Sequence, residues 1–444
     1  MTIPKQLICA FFAGLVSLFT YTMTNVAHSL DILDVPTRAG AIAWMAPVPS
    51  VPVIAVELSF SAGVNTEPAD KRGLRTTVAD MLNEGAGDLN SQAFQAQAER
   101  LGIYIQARPN RDFFRIGMTA PSIHAAEAFR LLNLAMTSMR VEQTDLDRVI
   151  ARNVASVKRR TERPKSRASH ALMEAIYPGH PYGEMVRGTL DGLKAVKAND
   201  VKAYALDWLT IEGLVIGLVA DFDEQQAGEY LDVLLSGLTI AQPSSGSQVK
   251  DVTPAVKTDV QILAQDVPQS AIQFALPAVT RNHPDWLPLV LTTRIAGGAS
   301  MTSRLFANVR RDRGLAYSVG LSALNFLHSG VLMGYTGTAN ESVGITLGVI
   351  RETLANLAQN GPSKQELADA KTNLIGSLPL ALDTNEALAD MLVHMQVYDM
   401  GRDYLDRRAD LISAVTMKDV KRVAQRYMNP NHMTVVVVGA PEGM

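Results

Sequence analysis

At 444 residues the chain exceeds the about 250 to 300 residues at which a single hydrophobic core stops growing, so more than one domain is expected. The composition, with 47% hydrophobic and 19% charged residues, excludes an intrinsically disordered chain. A formal net charge of −3 gives no global electrostatic reason for binding nucleic acid or an anionic membrane.

The first 29 residues have the pattern of an export signal. Lys5 is followed by no charged residue until Asp31, and the run between them is largely apolar. Ala27 and Ser29 supply the small residues of a cleavage site, so we expect cleavage after Ser29 and a periplasmic protein with no membrane association. The uncharged run is also long enough to span a bilayer, which leaves an N-terminal membrane anchor as the alternative.

The rest of the chain alternates between predicted strands and helices. Alternating or apolar runs at residues 51–62 and 103–118 predict strands, and longer stretches with helical spacing lie between them. Residues 241–248 and the nearby Pro254 have the Pro, Ser and Gly content of a connection between domains. The expected division is a signal peptide at 1–29, an N-terminal domain at 30–242, a linker at 243–258 and a C-terminal domain at 259–444.

The two halves of the chain resemble one another. Residues 193–202 align with residues 412–421 at a constant offset of 219, which also brings Trp208 opposite Tyr427. Each half then ends in an apolar predicted strand. This relationship indicates an internal repeat of domain size.

The repeat predicts two homologous α+β domains, each a mostly antiparallel sheet covered by helices, which together form a bilobed subunit. Thr144 and Ser363 are the expected N-caps of equivalent helices in the two copies. A chance similarity between two helix-strand units is the alternative, because short apolar strands align easily.

Five short motifs follow one another along the chain. They are Gly63-Val-Asn-Thr-Glu-Pro68, Arg72-Gly-Leu-Arg-Thr-Thr-Val-Ala-Asp-Met-Leu-Asn-Glu-Gly85, Tyr177-Pro-Gly-His-Pro-Tyr-Gly183 with Gly188-Thr189, Gly297-Gly-Ala-Ser-Met-Thr-Ser-Arg-Leu-Phe306, and Arg310-Arg-Asp-Arg-Gly-Leu-Ala-Tyr-Ser318. In this order and spacing they resemble the insulinase/pitrilysin family of zinc peptidases, which includes the mitochondrial processing peptidases and many bacterial two-subunit enzymes. The resemblance covers the chain from about residue 35 to the end.

The catalytic members of that family carry an H-x-x-E-H motif, in which two imidazoles on one helix face bind zinc and the glutamate activates a water. The positions that align with this motif here are Thr76, Ala79 and Asp80, so both histidines and the general base are absent. A further glutamate ligand is expected well downstream, but the predicted helix at residues 146–161 contains none. The resemblance therefore implies a degenerate zinc site, with no cofactor in this chain.

No other part of the sequence supplies a short-range metal motif. The eight histidines include no pair within five residues of one another. Cys9 is the only cysteine and lies in the predicted signal, so neither a disulfide nor a thiolate metal site is expected after export. A zinc site assembled from distant histidines and carboxylates remains an alternative.

The Arg-x6-Tyr pair of the family is intact as Arg310 and Tyr317. The resemblance implies that the two side chains project across a chamber toward the zinc of a facing subunit. A guanidinium can hold a peptide carbonyl, and a phenol can donate a hydrogen bond to a developing oxyanion. The alternative is that the two side chains only pack, whereas Arg311 and Arg313 are expected to be solvated charges.

These expectations lead to a non-catalytic, peptide-binding subunit of a heterodimeric zinc metallopeptidase. The partner, a paralogue with H-x-x-E-H, is expected to supply the zinc, while this chain supplies Arg310 and Tyr317 and is inactive alone. One rival is a peptide-binding or assembly protein with the same fold and no proteolytic role, similar to core subunits of a respiratory complex. A second rival is an enzyme with relocated chemistry.

Overall fold

The computed structural model describes residues 30–240, 249–298 and 301–443. The predicted signal peptide and the linker residues 243–248 lie outside this part of the chain. Residues 249–258 contain neither helix nor strand, and the Ala255 amide donates a hydrogen bond to the Ile176 carbonyl (2.7 Å). None of the helices in the described ranges is both long and apolar enough to cross a membrane.

A six-stranded sheet forms the centre of the N-terminal half, next to a short hairpin. The strands of the sheet are β1 (Leu33–Pro36), β2 (Ile42–Pro47), β3 (Val53–Phe60), β6 (Tyr104–Pro109), β7 (Phe114–Pro121) and β8 (Val215–Ala220), and those of the hairpin are β4 (Gly85–Ala86) and β5 (Leu89–Asn90). The sheet order is β1-β2-β8-β3-β7-β6, with β2 and β8 parallel and every other pair antiparallel.

A five-stranded sheet in the C-terminal half repeats this arrangement. Its strands are β9 (Asp259–Ala264), β10 (Gln269–Pro277), β11 (Val319–Phe326), β12 (Ser329–Ala339) and β13 (Thr434–Gly439). The order β9-β13-β10-β12-β11 has the same form as β2-β8-β3-β7-β6, and it also contains one parallel pair, β9 with β13. Chance similarity of two short units would not reproduce a whole sheet order.

Helices pack on both sheets. In the N-terminal half they are α1 (Leu74–Met81), α2 (Ser91–Leu101), α3 (Ala125–Thr137), α4 (Gln143–Glu162), α5 (Pro164–Ile176), α6 (Leu190–Ala195), α7 (Ala198–Trp208) and α8 (Glu224–Leu235). In the C-terminal half they are α9 (Trp286–Gly297), α10 (Val343–Asn360), α11 (Lys364–Gly376), α12 (Leu378–Ala381), α13 (Asn385–Val397), α14 (Tyr404–Ala414) and α15 (Met417–Tyr427). The predicted α+β fold of two homologous halves is confirmed, because α7 and α15, like β8 and β13, are related by the offset of 219.

The alternation of strand residues explains why both faces of each sheet are covered. In β3, Ile54, Val56 and Leu58 point toward the helices of the same half and join its main core. Their neighbour Glu57 points to the opposite face, where α13 packs. Because both faces of the sheet are covered at β3, this strand is buried along almost its whole length.

The second face of each sheet is covered by a helix from the other half. The α5 residues Ala168, Leu172 and Ile176 form a buried cluster with residues of the C-terminal sheet. In return, α13 packs on the N-terminal sheet, where the Gln396 side chain donates a hydrogen bond to the Ile216 carbonyl (2.9 Å). The two lobes are therefore interlocked, so neither sheet would be fully covered by its own half alone.

Local chemistry accounts for two differences from the sequence expectations. Residues 103–118 form a hairpin rather than one strand, because the Asn110 side chain accepts hydrogen bonds from the Asp112 and Phe113 amides (both 2.9 Å) and turns the chain. The prediction that Thr144 is an N-cap is wrong, since α4 begins earlier, at Gln143, and no side chain caps it.

The expected cap at Ser363 is confirmed. Its hydroxyl accepts from the Glu366 amide (3.1 Å), and the Glu366 carboxylate accepts from the Ser363 amide (2.7 Å). This capping box satisfies two backbone donors at the start of α11.

Candidate functional site

The helix that carries the positions aligned with the zinc motif is held by a buried glutamate. Glu67 accepts hydrogen bonds through Oε1 from the Gly73 amide (3.0 Å) and the Arg75 amide (2.8 Å) at the start of α1. A carboxylate at a helix N-terminus satisfies free N–H groups and interacts favourably with the helix dipole. Burial raises the pKa of Glu67, while the nearby Arg75 opposes the shift. This explains why a Glu is needed in the first sequence motif.

Arg72, a residue of the second motif, contacts residues of the first and third motifs. Its guanidinium donates to the Val64 carbonyl (3.0 Å) and the Glu67 carbonyl (2.7 Å), and it forms an ion pair with Glu184 (2.7 Å). Gly188 packs so closely that a Cβ there would lie 2.3 Å from the Arg72 carbonyl oxygen. These motif residues therefore position α1 against the segment at residues 184–192, which is a structural role.

The residues at the zinc positions do not fit a zinc ion. Thr76 and Ala79 are buried, and neither offers an imidazole or a carboxylate. The Asp80 carboxylate lies 3.7 Å from the guanidinium of Arg152 on α4, which is the helix where the downstream ligand was sought. A fixed positive charge beside the remaining carboxylate disfavours a dication. Over the described ranges, no group of three or more His, Cys, Asp or Glu side chains could hold a metal.

A cavity of about 840 Å³ opens beside these three positions. Thr76, Ala79 and Asp80 form part of its wall, together with residues of β6, the end of α4, α5 and the loop at 184–187. Gln273 and Tyr335 of the C-terminal sheet complete the lining. The cavity is therefore built from both halves, which no local sequence pattern indicated.

Arg310 and Tyr317 lie together elsewhere, and neither belongs to the lining of that cavity. Arg310 is in a π-helical turn, Phe306–Arg311, and its guanidinium carbon lies 4.5 Å from the centroid of the Tyr317 ring. Tyr317 is 83% exposed. Across the described residues, neither the guanidinium nor the phenol has a hydrogen-bond or ion-pair partner. A π-helical turn is uncommon and often occurs at functional sites.

The two neighbouring arginines behave differently from Arg310. Arg311 forms an exposed ion pair with Asp312 (2.8 Å), and Arg313 donates to the Asn308 carbonyl (3.0 Å). An exposed pair of this kind contributes little free energy. Within this segment, Arg310 is thus the cation that is stacked on aromatic rings rather than bonded to polar groups.

Comparison with known proteins supports the sequence resemblance. Residues 195–374 match the family described as the peptidase M16 inactive domain. The chain is thus similar to the M16, or insulinase, family, and the matching segment is the one described as its inactive domain.

Among curated proteins, it is 22% identical to an uncharacterized zinc protease, YmxG, of Bacillus subtilis, with 89% of this chain and 95% of that protein aligned. It is 21% identical to the non-peptidase homolog YmxG of Helicobacter pylori, over 87% of this chain and 89% of the relative. The crystal structure of a peptidase M16 inactive domain from Pseudomonas fluorescens superimposes with a TM-score of 0.86 at 24% identity, covering 93% and 98% of the two chains.

Proposed function

We propose that this chain is the non-catalytic subunit of a heterodimeric zinc metallopeptidase and that it binds peptide substrate beside the zinc of a partner. The partner would be a paralogous subunit with an intact H-x-x-E-H motif. In this arrangement the chain contributes Arg310 and Tyr317 and has no peptidase activity alone. Export to the periplasm, with cleavage after Ser29, is part of the proposal.

The observation that carries the proposal is the state of Arg310 and Tyr317. Both side chains are free of polar partners over the described residues, and Tyr317 is 83% exposed although tyrosine has a large apolar ring. A side-chain pair that only packed would bury the ring. An exposed phenol beside a guanidinium suits a role in a site that a second subunit completes.

The proposed chemistry assigns one role to each side chain. The Arg310 guanidinium would donate to a peptide carbonyl and fix the position of the scissile bond. The Tyr317 hydroxyl would donate to the oxyanion that forms when the partner's activated water attacks that carbonyl. Neither role requires a metal bound to this chain.

Peptide binding is also supported by the sheet edges. β6 and β11 are terminal strands of the two sheets, so their outer edges are not paired with any strand of the described residues. An extended peptide can add to such an edge through main-chain hydrogen bonds, which gives affinity with weak sequence preference.

The test is reconstitution with the zinc-bearing paralogue. The two purified chains should form a one-to-one complex that cleaves unfolded peptides, whereas each chain alone should not. Equally efficient cleavage by the zinc-bearing paralogue in the absence of this chain would contradict the proposal. Recovery of this chain only with proteins unrelated to peptidases, and without activity, would favour the assembly role instead.

A further inference from the structure

The cavity beside the degenerate zinc positions is strongly cationic. Six basic side chains contribute to its lining: Arg108, Arg111, Arg160, Lys165, Arg167 and Arg187. Only two carboxylates, Asp80 and Glu184, face the same space. The chain as a whole is slightly acidic, with a formal net charge of −3, so this concentration of positive charge is local.

Both carboxylates of the cavity lie near arginines that do not line it. Glu184 is paired with Arg72 (2.7 Å), and Asp80 lies 3.7 Å from Arg152. These two carboxylates therefore do little to compensate the basic side chains of the lining.

Arg108 is the only one of the six cations with a carboxylate partner in the described residues. It contacts Glu57 (2.9 Å) and Glu386 (3.5 Å). Three others contact neutral groups. Arg111 donates to the Tyr182 carbonyl (2.8 Å), Arg167 donates to the Ala264 carbonyl (3.3 Å), and the Lys165 ammonium lies 4.4 Å from the centroid of the Tyr335 ring.

Arg160 and Arg187 have neither hydrogen bonds nor ion pairs from their guanidinium groups across the part of the chain that the structure describes. The remaining residues, 1–29, 241–248, 299–300 and 444, contain no Asp or Glu, so none of their side chains could supply the missing carboxylate. Desolvation lowers the pKa of Arg160, and the positive charges of Arg187 and Arg163 lower it further. Both side chains are exposed, so solvent screens part of their mutual repulsion, and an anion between them would reduce it further.

The shape of the cavity indicates which kind of anion it takes. Its volume, about 840 Å³, is much larger than an inorganic anion needs and is comparable with sites for molecules of several hundred daltons. One wall is formed by Ala107, Arg108 and Pro109 of β6, the terminal strand of the sheet. The edge of a terminal strand can offer N–H and C=O groups to an extended chain.

We propose that this cavity binds an extended, acidic polypeptide segment, whose carboxylates are held by Arg160 and Arg187. The site lies within this chain and does not depend on Arg310, Tyr317 or a zinc-bearing partner. In this proposal the region aligned with the zinc motif recognises negatively charged side chains instead of binding a metal.

The first experiment measures binding of labelled peptides to the full exported chain by fluorescence anisotropy. The probes are an extended Glu-containing peptide and the same peptide with each Glu replaced by Gln. The Glu peptide should bind at least about tenfold more tightly, and its affinity should fall as salt is added. Equal affinity for the two peptides would overturn the proposal.

The second experiment tests the location. The double variant Arg160→Gln with Arg187→Gln should bind the Glu peptide roughly tenfold more weakly, because two charge-assisted contacts are lost. Arg159→Gln is the matched control, since Arg159 is exposed like Arg160 and belongs to the same helix but does not line the cavity. Circular dichroism and Tm would verify that all variants fold. An unchanged affinity of the folded double variant would exclude this cavity.

Competition separates the possible anions. Unlabelled Glu peptide should displace the probe, whereas inorganic phosphate at equal ionic strength should not do so with comparable efficiency. Displacement by phosphate as effective as that by the peptide would indicate a general anion site and overturn the assignment to polypeptide. A single-stranded oligonucleotide that binds more tightly than the Glu peptide, and through the same two arginines, would overturn it as well.

Discussion

The Arg310 guanidinium lies over two aromatic rings, with its central carbon 4.5 Å from the centroid of Tyr317 and 5.0 Å from that of Phe306. A cation–π contact at an exposed site contributes only about 0.5 to 1 kcal/mol, so this stack orients the pair without locking it. The two side chains are therefore poised together, and a change in one should affect the orientation of the other.

Tyr317→Phe should lower kcat of the reconstituted complex by on the order of 10²-fold, because it removes one oxyanion donor and keeps the ring on which Arg310 stacks. Assembly and zinc content should not change. Steady-state kinetics on the purified complex would measure this effect, and wild-type kcat/KM from the variant would show that the hydroxyl is not used.

Arg310→Ala should mainly raise KM, since a guanidinium that holds a substrate carbonyl stabilises substrate and transition state alike. Because the loss of Arg310 also frees the Tyr317 ring, the double variant should lose less activity than the product of the two single losses. Arg311→Ala provides the control, as Arg311 is already paired with Asp312 on the surface. Independent, multiplicative effects of the two substitutions would contradict the coupling.

The purified chain should contain no stoichiometric zinc, since Thr76, Ala79 and Asp80 cannot replace two histidines and a glutamate. Restoration of the motif by Thr76→His, Ala79→Glu and Asp80→His should still give no peptidase activity. The only glutamate of α4 is its last residue, Glu162, and the Arg152 charge lies beside position 80. Elemental analysis and a peptidase assay would measure both points, and chelator-sensitive activity of the triple variant would disprove the expectation.

Glu57 should make stability depend on pH. It is buried on β3 beneath α13, and desolvation raises its pKa to about 7, although Arg108 opposes the shift. The folded-state pKa thus lies above the unfolded value. The stabilisation from the neutral form is complete below the unfolded pKa and is lost as pH rises through about 7.

Glu57→Gln provides the comparison, because it keeps an oxygen that can accept from Arg108 and removes the ionisation. As the pH rises from 5 to 8, the stability of the variant relative to wild type should increase. The increase should be at most about 3 kcal/mol for a pKa shift of this size. Urea unfolding at several pH values would measure the difference. A constant difference across that range would mean that the carboxyl keeps its ordinary pKa.

Gly217→Ala should weaken the docking of α13 on the N-terminal sheet. A Cβ at this position of β8 would lie 2.4 Å from the Ala389 carbonyl oxygen and 3.1 Å from Leu392. Overpacking of this kind costs about 1 to 3 kcal/mol. Gly337→Ala is the control, since its Cβ would have only the Ser270 carbonyl oxygen within 4 Å, at 3.9 Å. Equal Tm values for the two variants would contradict the close packing of α13.

The exported protein should begin near Leu30, because the apolar run ends in small residues at Ala27 and Ser29. N-terminal sequencing of protein from a periplasmic extract would test this. Retention of Met1 in a membrane fraction would favour the anchor.

The sequence by itself determined the repeat, the absence of histidine from the positions aligned with the zinc motif and the presence of the Arg-x6-Tyr pair. The offset of 219, which places Trp208 opposite Tyr427, was sufficient to detect the repeat. The reason is that α7 and α15 bury residues at equivalent positions. The absence of histidine at positions 76 and 80 depends only on residue identity. Patterns of this kind are short-range, so they can be recognised without knowledge of the packing.

Tertiary structure alone decided how the halves interlock and which charges meet. The exchange of α5 and α13 between sheets, the approach of Arg152 to Asp80, and the cationic cavity all join residues that are distant in sequence. Arg108, Arg160 and Arg187 look like ordinary surface charges along the chain. Only the path of the backbone brings them to one cavity, and the energy of a charge depends on the groups around it in space rather than on its neighbours in sequence.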